Sequence, residues 1–252
     1  TALNTLVYTP TSPNVDGTVV ITTTVDDRTA GVGNGVEGTG VDGNNTNVKT
    51  FNINISSIND APVLSAPIAV TATEDLTFSF TGANQISIAD SDDFGAAEKV
   101  TLDLGASPKG TITLSTLTGL TFTTGDGTAD TKLVFTGTKA DINAALATLK
   151  FTPTANINTV GGGNEQSLSI SVDDHGNTGT GGALTNSKTV LIYITPVNDA
   201  PTRTAASTAL ADVPEDSSAP AGNTVSSLFT GVFSDLTDTQ VGGSSANPLA
   251  GV

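Results

Sequence analysis

Thr50-Phe51-Asn52-Ile53-Asn54-Ile55-Ser56-Ser57-Ile58-Asn59-Asp60-Ala61-Pro62 decides the fold. Its plan returns at Thr189-Val190-Leu191-Ile192-Tyr193-Ile194-Thr195-Pro196-Val197-Asn198-Asp199-Ala200-Pro201. In each copy an alternating run reads as a strand with one apolar face, and the Asn-Asp-Ala-Pro behind it reads as a turn that opens another stretch. The interval is 198 − 59 = 139 residues, the size of one small domain. Other words recur near that interval: Ala2 to Pro10 against Ala145 to Pro153, Val25-Asp26-Asp27 against Val172-Asp173-Asp174, and Glu74-Asp75 against Glu215-Asp216. Self-similarity at a fixed period marks a tandem array whose Asn-Asp words are joints.

The joints divide the 252 residues into 1–58, the C-terminal part of one repeat; 59–198, a complete repeat; and 199–252, the N-terminal part of a third, divergent repeat. A domain needs both of its layers to cover its apolar faces. The two outer fragments are therefore expected to continue in a longer molecule or to be completed by other chains.

Within 59–198, short alternating runs closed by Gly, Asp, Asn or Pro predict strands at 69–73, 76–80, 86–89, 100–104, 111–114, 120–123, 132–135, 151, 167–172 and 188–194. That is the pattern of an all-β sandwich. Strands are also expected at 6–9, 19–25 and 51–55, with the Gly-punctuated stretch 28–47 as an exposed hairpin loop; the third repeat starts with 202–210. One segment follows another rule. Thr138-Lys139-Ala140-Asp141 has the form of a capping box, and Ile142, Ala145, Leu146 and Leu149 then fall on one helical face, which predicts a short helix over 139–149.

Composition narrows the function. Apolar residues make up 37% of the chain and charged residues 13%, too apolar and too weakly charged for a disordered segment. Formal net charge is −16, from 25 acidic against 9 basic residues, so a nucleic acid would be repelled and divalent cations attracted. No apolar run is long enough to insert in a membrane as a helix. Cys is absent, so no disulfide supports the fold, which suits a long bacterial surface protein better than a small eukaryotic module.

Enzyme signatures are missing. His175 is the single histidine, so a zinc site of nitrogen and sulfur ligands cannot be assembled, and a Ser-His-Asp triad would need this same His beside a special serine, while no Gly-x-Ser-x-Gly elbow occurs. Glycoside hydrolysis could use paired carboxylates, but here the pairs repeat from domain to domain and only 4% of residues are aromatic. The Gly-rich loops at 31–43 and 176–182 lack the lysine of a P-loop and read as hairpin tips. Oxygen ligands, in contrast, are abundant: Asn59-Asp60, Glu74-Asp75, Asp90-Ser91-Asp92-Asp93 and Asp173-Asp174. Hard cations such as Ca2+ take ~6–8 oxygens, and alternate Asp residues leaving a strand can face one ion. The same Asx residues are also common turn formers, bonding nearby backbone N–H groups, and both roles stay open for each pair taken singly.

The joint word, the acidic pair after it, the Asp-x-Asp loop and the Val-Asp-Asp strand end together resemble cadherin repeats, and more closely the cadherin-like repeats of large bacterial surface adhesins of the repeats-in-toxin type. The resemblance implies tandem Greek-key β-sandwich domains with Ca2+ as cofactor. It implies a first joint that gathers Asn59, Asp60, Asp90, Asp92 and Asp173, and a second that gathers Glu74, Asn198, Asp199 and Asp235. The chain departs from the cadherin joint, which reads Asp-x-Asn-Asp-Asn: Ser57 and Pro196 stand in place of its first Asp, and Ala61 and Ala200 in place of its last Asn. No clear Asp-Arg-Glu motif lies in 59–198. Fewer ligands imply one or two ions per joint in place of three.

The resulting expectation is a non-enzymatic, extracellular rod segment at a bacterial cell surface, stiffened by Ca2+ and used in adhesion, biofilm or surface assembly. Its partners would be the neighbouring repeats of its own chain, and host or matrix carbohydrate or protein. Two alternatives stand beside it: a subunit of an extracellular filament or sheath self-associating by strand exchange, and a carbohydrate-binding module.

Overall fold

A computed structural model describes residues 6–10, 17–26, 46–159, 165–176, 179–204, 212–219, 222 and 232–234. Among the described residues the fold is all-β with one short α-helix and a 3-10 turn at Gly82–Asn84. In chain order its strands are β1 (Gly17–Asp26), β2 (Thr46–Ile55), β3 (Val63–Ser65), β4 (Ala69–Thr73), β5 (Phe78–Ser79), β6 (Ser87–Ala89), β7 (Ala97–Asp103), β8 (Gly110–Thr113), β9 (Thr121–Thr124) and β10 (Lys132–Thr138). Helix α1 (Lys139–Leu146) follows, then β11 (Lys150–Pro153), β12 (Gln166–Asp173), β13 (Thr185–Thr195), β14 (Thr202–Arg203) and β15 (Phe233–Ser234).

Between the two joints, a six-stranded sheet in the order β4-β13-β12-β7-β10-β9 and a three-stranded sheet β5-β11-β8 contribute to one hydrophobic core, with the pair β3-β6 beside them. Alternation explains the layers. Val100 and Leu102 of β7, Leu133 and Phe135 of β10, and Leu168, Ile170 and Val172 of β12 turn inward at every second position, as a pleated strand requires. They meet Ile112, Leu149 and Phe151 from the other side of the same core. All the pairs in the large sheet are antiparallel except β13 with β4, whose parallel register runs from Leu191↔Ala69 to Thr195↔Thr73. That pairing brings the start of the unit beside its last strand, and so brings Glu74 to the second joint.

Helix α1 starts where the capping box predicts. The Thr138 hydroxyl accepts the Asp141 N–H at 3.2 Å and donates to the Asp141 carboxylate at 2.7 Å, satisfying one of the orphan donors of the first turn. The helix ends at Leu146, three residues before the expected limit. Tighter bonds from the N–H groups of Thr148 and Leu149 to the carbonyls of Ala145 and Leu146 close the turn, so Leu149 still reaches the core.

Elsewhere the boundaries shift. Strand β4 spans the predicted residues, whereas β7, β12 and β13 run beyond the apolar stretch because backbone pairing continues through polar positions such as Glu98 and Lys99. The three-residue β3 was not expected; it is confined between Pro62 and Pro67, which cannot donate to a ladder. The strand expected at 6–9 is corrected: residues 6–10 form no strand among the described residues and leave Leu6, Val7 and Tyr8 exposed, for a strand needs a neighbouring edge. The ten-residue strands β1 and β2 do pair as an antiparallel ribbon. Most of the loop between them, and most of 199–252, lies outside the described residues, apart from the short pair β14-β15.

Candidate metal centre at the first joint

The chain around Asn59 is clamped along the hairpin made by β12 and β13. Ile58 forms a parallel bridge with Thr180. The Thr180 N–H donates to the Ser57 carbonyl at 3.0 Å, and the Asn59 N–H to the Thr180 carbonyl at 3.1 Å. Gly179 makes this approach possible: its φ is +94°, and a Cβ there would fall 2.6 Å from the Asn59 nitrogen. Gly179 and Thr180, in the Gly-rich stretch, thus seat the joint. Further along, the Asn186 side chain donates to the Pro62 carbonyl at 3.0 Å.

Side chains add a second set of links. Asn59 is buried and its amide donates to the Asp174 carboxylate at 2.7 Å and to the Gly182 carbonyl at 3.0 Å. The Asp60 N–H donates to the Asp92 carboxylate at 2.8 Å, and the Asp92 N–H to Asp90 Oδ1 at 3.1 Å. Residues 59, 60, 90 and 92 therefore share one end of the fold.

Asp173 stands apart from this group. Its carboxylate receives the His175 N–H at 2.9 Å and lies 3.5 Å from the Lys99 ammonium. The next residue, Asp174, is the one that faces the joint, accepting also from the N–H groups of Gly176 at 2.7 Å and Leu184 at 2.8 Å. Burial opposes its ionisation, but these backbone N–H bonds and the Asn59 amide hold the Asp174 carboxyl below its ordinary value. His175 itself sits in the turn at φ +59°.

Asp93, which the sequence groups with Asp90 and Asp92 but the resemblance leaves out of the joint, and Glu98, which the sequence reading did not single out, complete the cluster. Asp93 binds the Lys139 ammonium at 2.6 Å, and the same ammonium donates to the Asp90 carbonyl. Glu98 opens the inward-facing series Glu98, Val100, Leu102 of β7 and is 0% exposed, and neither of its carboxylate oxygens has a hydrogen-bond partner among the described residues. Burial, and then the charges of Asp90 and Asp93, push the Glu98 carboxyl up to about 7. Burial and the neighbouring Asp92 push Asp90 up to about 6. Five buried carboxyl groups, Asp90, Asp92, Asp93, Glu98 and Asp174, thus crowd one end of the fold, where the Lys139 ammonium contacts the Asp93 carboxylate and the Asp90 carbonyl. Among the described residues no three carboxylates already converge closely enough to hold an ion; Asp92 and Asp93 are turned onto N–H donors. The orphaned Glu98 carboxylate and the like charge around it nonetheless fit an oxygen-liganded cation such as Ca2+.

At the second joint Glu74 is buried beneath the chain that leaves β13. Its N–H donates to the Thr195 carbonyl at 2.9 Å and its Oε1 accepts the Val197 N–H at 2.7 Å. Asn198 is exposed, its amide on the Asp199 carbonyl at 3.2 Å, and Asp199 is half-buried. Asp235 lies outside the described residues.

Comparison with known proteins assigns no family. No family model matches the chain, and no curated protein matches it. Among solved structures, one similar chain is AggA, the major subunit of aggregative adherence fimbriae type I from Escherichia coli. It is 12% identical and aligns over 56% of this chain and 99% of its own, with a TM-score of 0.26. A likeness at that level carries nothing about fold or function. No helix among the described residues is long and apolar enough to cross a membrane.

Proposed function

We propose that this chain is a non-enzymatic segment of a large extracellular bacterial surface protein, a rod of tandem cadherin-like Greek-key β-sandwich repeats whose joints are stiffened by Ca2+ for adhesion, biofilm formation or surface assembly. The observation that carries the proposal is the carboxylate cluster behind the first joint, which binds the linker directly through Asp92 to Asp60 and Asp174 to Asn59. The mechanism is electrostatic. Without a cation the crowded carboxylates repel one another, and Lys139 offsets only part of that charge. Ca2+ would neutralise them and draw Asn59, Asp60, Asp90, Asp92 and Asp174 together, fixing the chain that links one repeat to the next. Glu74, Asn198 and Asp199 would serve the second joint in the same way.

Calorimetric titration of the full chain with Ca2+, with melting curves in Ca2+ and in chelator, tests this reading. Saturable binding and a large loss of stability on chelation are expected. The double substitution Asp90→Ala, Asp92→Ala should lower Ca2+ affinity while leaving the repeat folded. No binding at millimolar Ca2+ would return the acidic groups to turn formation.

A specific observation also favours the filament reading. Strands β1 and β2 form a two-stranded ribbon whose Ile21↔Phe51 and Val19↔Ile53 pairs lie on one face, with Phe51 41% exposed. At the repeat interval of 139 residues, Phe51 and Ile53 correspond to Val190 and Ile192, both fully buried. A complementary layer from another chain would cover that face. Polymers that lengthen with protein concentration under the electron microscope would support this assembly.

A further inference from the structure

We infer that Glu98 is an inner ligand of the cation bound at the first joint, a position that neither the joint word nor the Asp-x-Asp loop reveals. The inference rests on the proposed Ca2+ role of that joint and extends its ligand set into the core.

Position 98 belongs to the inward face of β7, in phase with Val100 and Leu102, both fully buried. An apolar side chain there would continue the core. A carboxylate is instead present, wholly buried, with no donor on either oxygen among the described residues. Isolated buried carboxylates are costly and are found paired, hydrogen-bonded or on metals.

The sheet register places other oxygens at the same level. Asp173 pairs with Lys99 as β12 runs antiparallel to β7, so one further step sets Asp174 across from Glu98. Like charges in such cross-strand positions destabilise a sheet. Asp90 and Asp93 approach from the loop before β7, and the Lys139 ammonium is already held there by the Asp90 carbonyl and the Asp93 carboxylate. The fold therefore holds one cation at this spot by a side chain, and has more anionic oxygen than that cation can serve. Turn formation accounts for Asp90, Asp92 and Asp174, each of which accepts backbone N–H groups. It does not account for Glu98.

The test is Glu98→Gln in the full chain, compared with the unaltered chain by Ca2+ calorimetry and by melting in chelator at neutral pH. Changes even in the outer shell of metal sites cost ~10–100-fold in affinity, so Glu98→Gln is expected to weaken Ca2+ binding by at least about tenfold. In chelator the variant should melt no lower than the unaltered chain, because it removes buried charge from a like-charged cluster and its amide can donate to Asp90 or Asp93. Equal Ca2+ affinity in the two proteins would overturn the inference while leaving the joint site standing. A variant that melts lower in chelator, with binding per folded molecule unchanged, would also overturn it, making Glu98 a structural group. If the unaltered chain itself takes up no Ca2+, the proposed function fails and the ligand role fails with it.

Discussion

Replacing Asp174 by alanine should destabilise the repeat by about 3 kcal/mol, whereas the same change one residue earlier, at Asp173, should cost less than about 1 kcal/mol. The difference follows from what each carboxylate touches. Asp174 is 1% exposed and accepts three hydrogen bonds, from the Gly176 and Leu184 N–H groups and the Asn59 amide, all between 2.7 and 2.8 Å. Alanine would leave all three donors without their acceptor. An unsatisfied buried donor costs about 1–3 kcal/mol, and the lower end applies where water can enter beside exposed Gly182 and Leu184. Three such donors give about 3 kcal/mol. Asp173 holds one exposed ammonium at 3.5 Å and one turn N–H, and surface pairs of that kind are worth ~0–1 kcal/mol.

Urea denaturation of the full chain in chelator measures both, read as a shift of midpoint at constant slope. The pH dependence adds a second check. The folded Asp174 carboxyl lies below its ordinary value, so it stabilises the fold above the unfolded carboxyl range near ~4 and loses that contribution as pH falls through the folded value. The gap between unaltered chain and Asp174→Ala should therefore be full at neutral pH and narrow in acid. Equal costs for the two substitutions, or a gap that widens in acid, would refute the assignment of Asp174 as the anchor of the joint.

Two further substitutions probe the frame around the site. Gly110→Ala should lower the melting temperature, with a cost of about 1–3 kcal/mol from overpacking, because a Cβ there would strike the Thr152 carbonyl and lie 2.7 Å from the Phe151 ring; an unchanged melting curve would mean that β8 and β11 are free to separate. Thr138→Ala should cost about 1 kcal/mol by removing the cap of α1, and Thr138→Ser should restore most of it; equal melting of all three proteins would show that the cap contributes nothing.

Much of the fold was legible because it rests on alternation. Wherever apolar residues fall at every second position, as in Leu168, Ile170 and Val172, the strand was found. Its ends were not, because pairing through Ala97, Glu98 and Lys99 is made by backbone groups that leave no hydrophobic trace. The helix start was legible from Thr138 and Asp141, whereas its end at Leu146 was not, since Leu149 stays in phase but reaches the core through a tighter turn. The strand expected at 6–9 had the right residue types, and propensity without a neighbouring edge among the described residues did not produce one.

The candidate site divides along the same line. Asn59, Asp60, Asp90 and Asp92 are loop residues, and their words announce them. Asp174 follows β12 directly and Glu98 lies within β7, and only strand parity identifies them. Val172 is an inward residue of β12, so the inward member of the Asp-Asp pair is the second one; Val100 and Leu102 are inward residues of β7, so Glu98 is inward as well. Because β7 and β12 are neighbours in antiparallel register, parity on each strand also fixes which carboxylates meet. An acidic residue in phase with a buried apolar series is thus a stronger pointer to a ligand than an acidic run in a loop, since a turn can use the loop residue and the core has no use for the other.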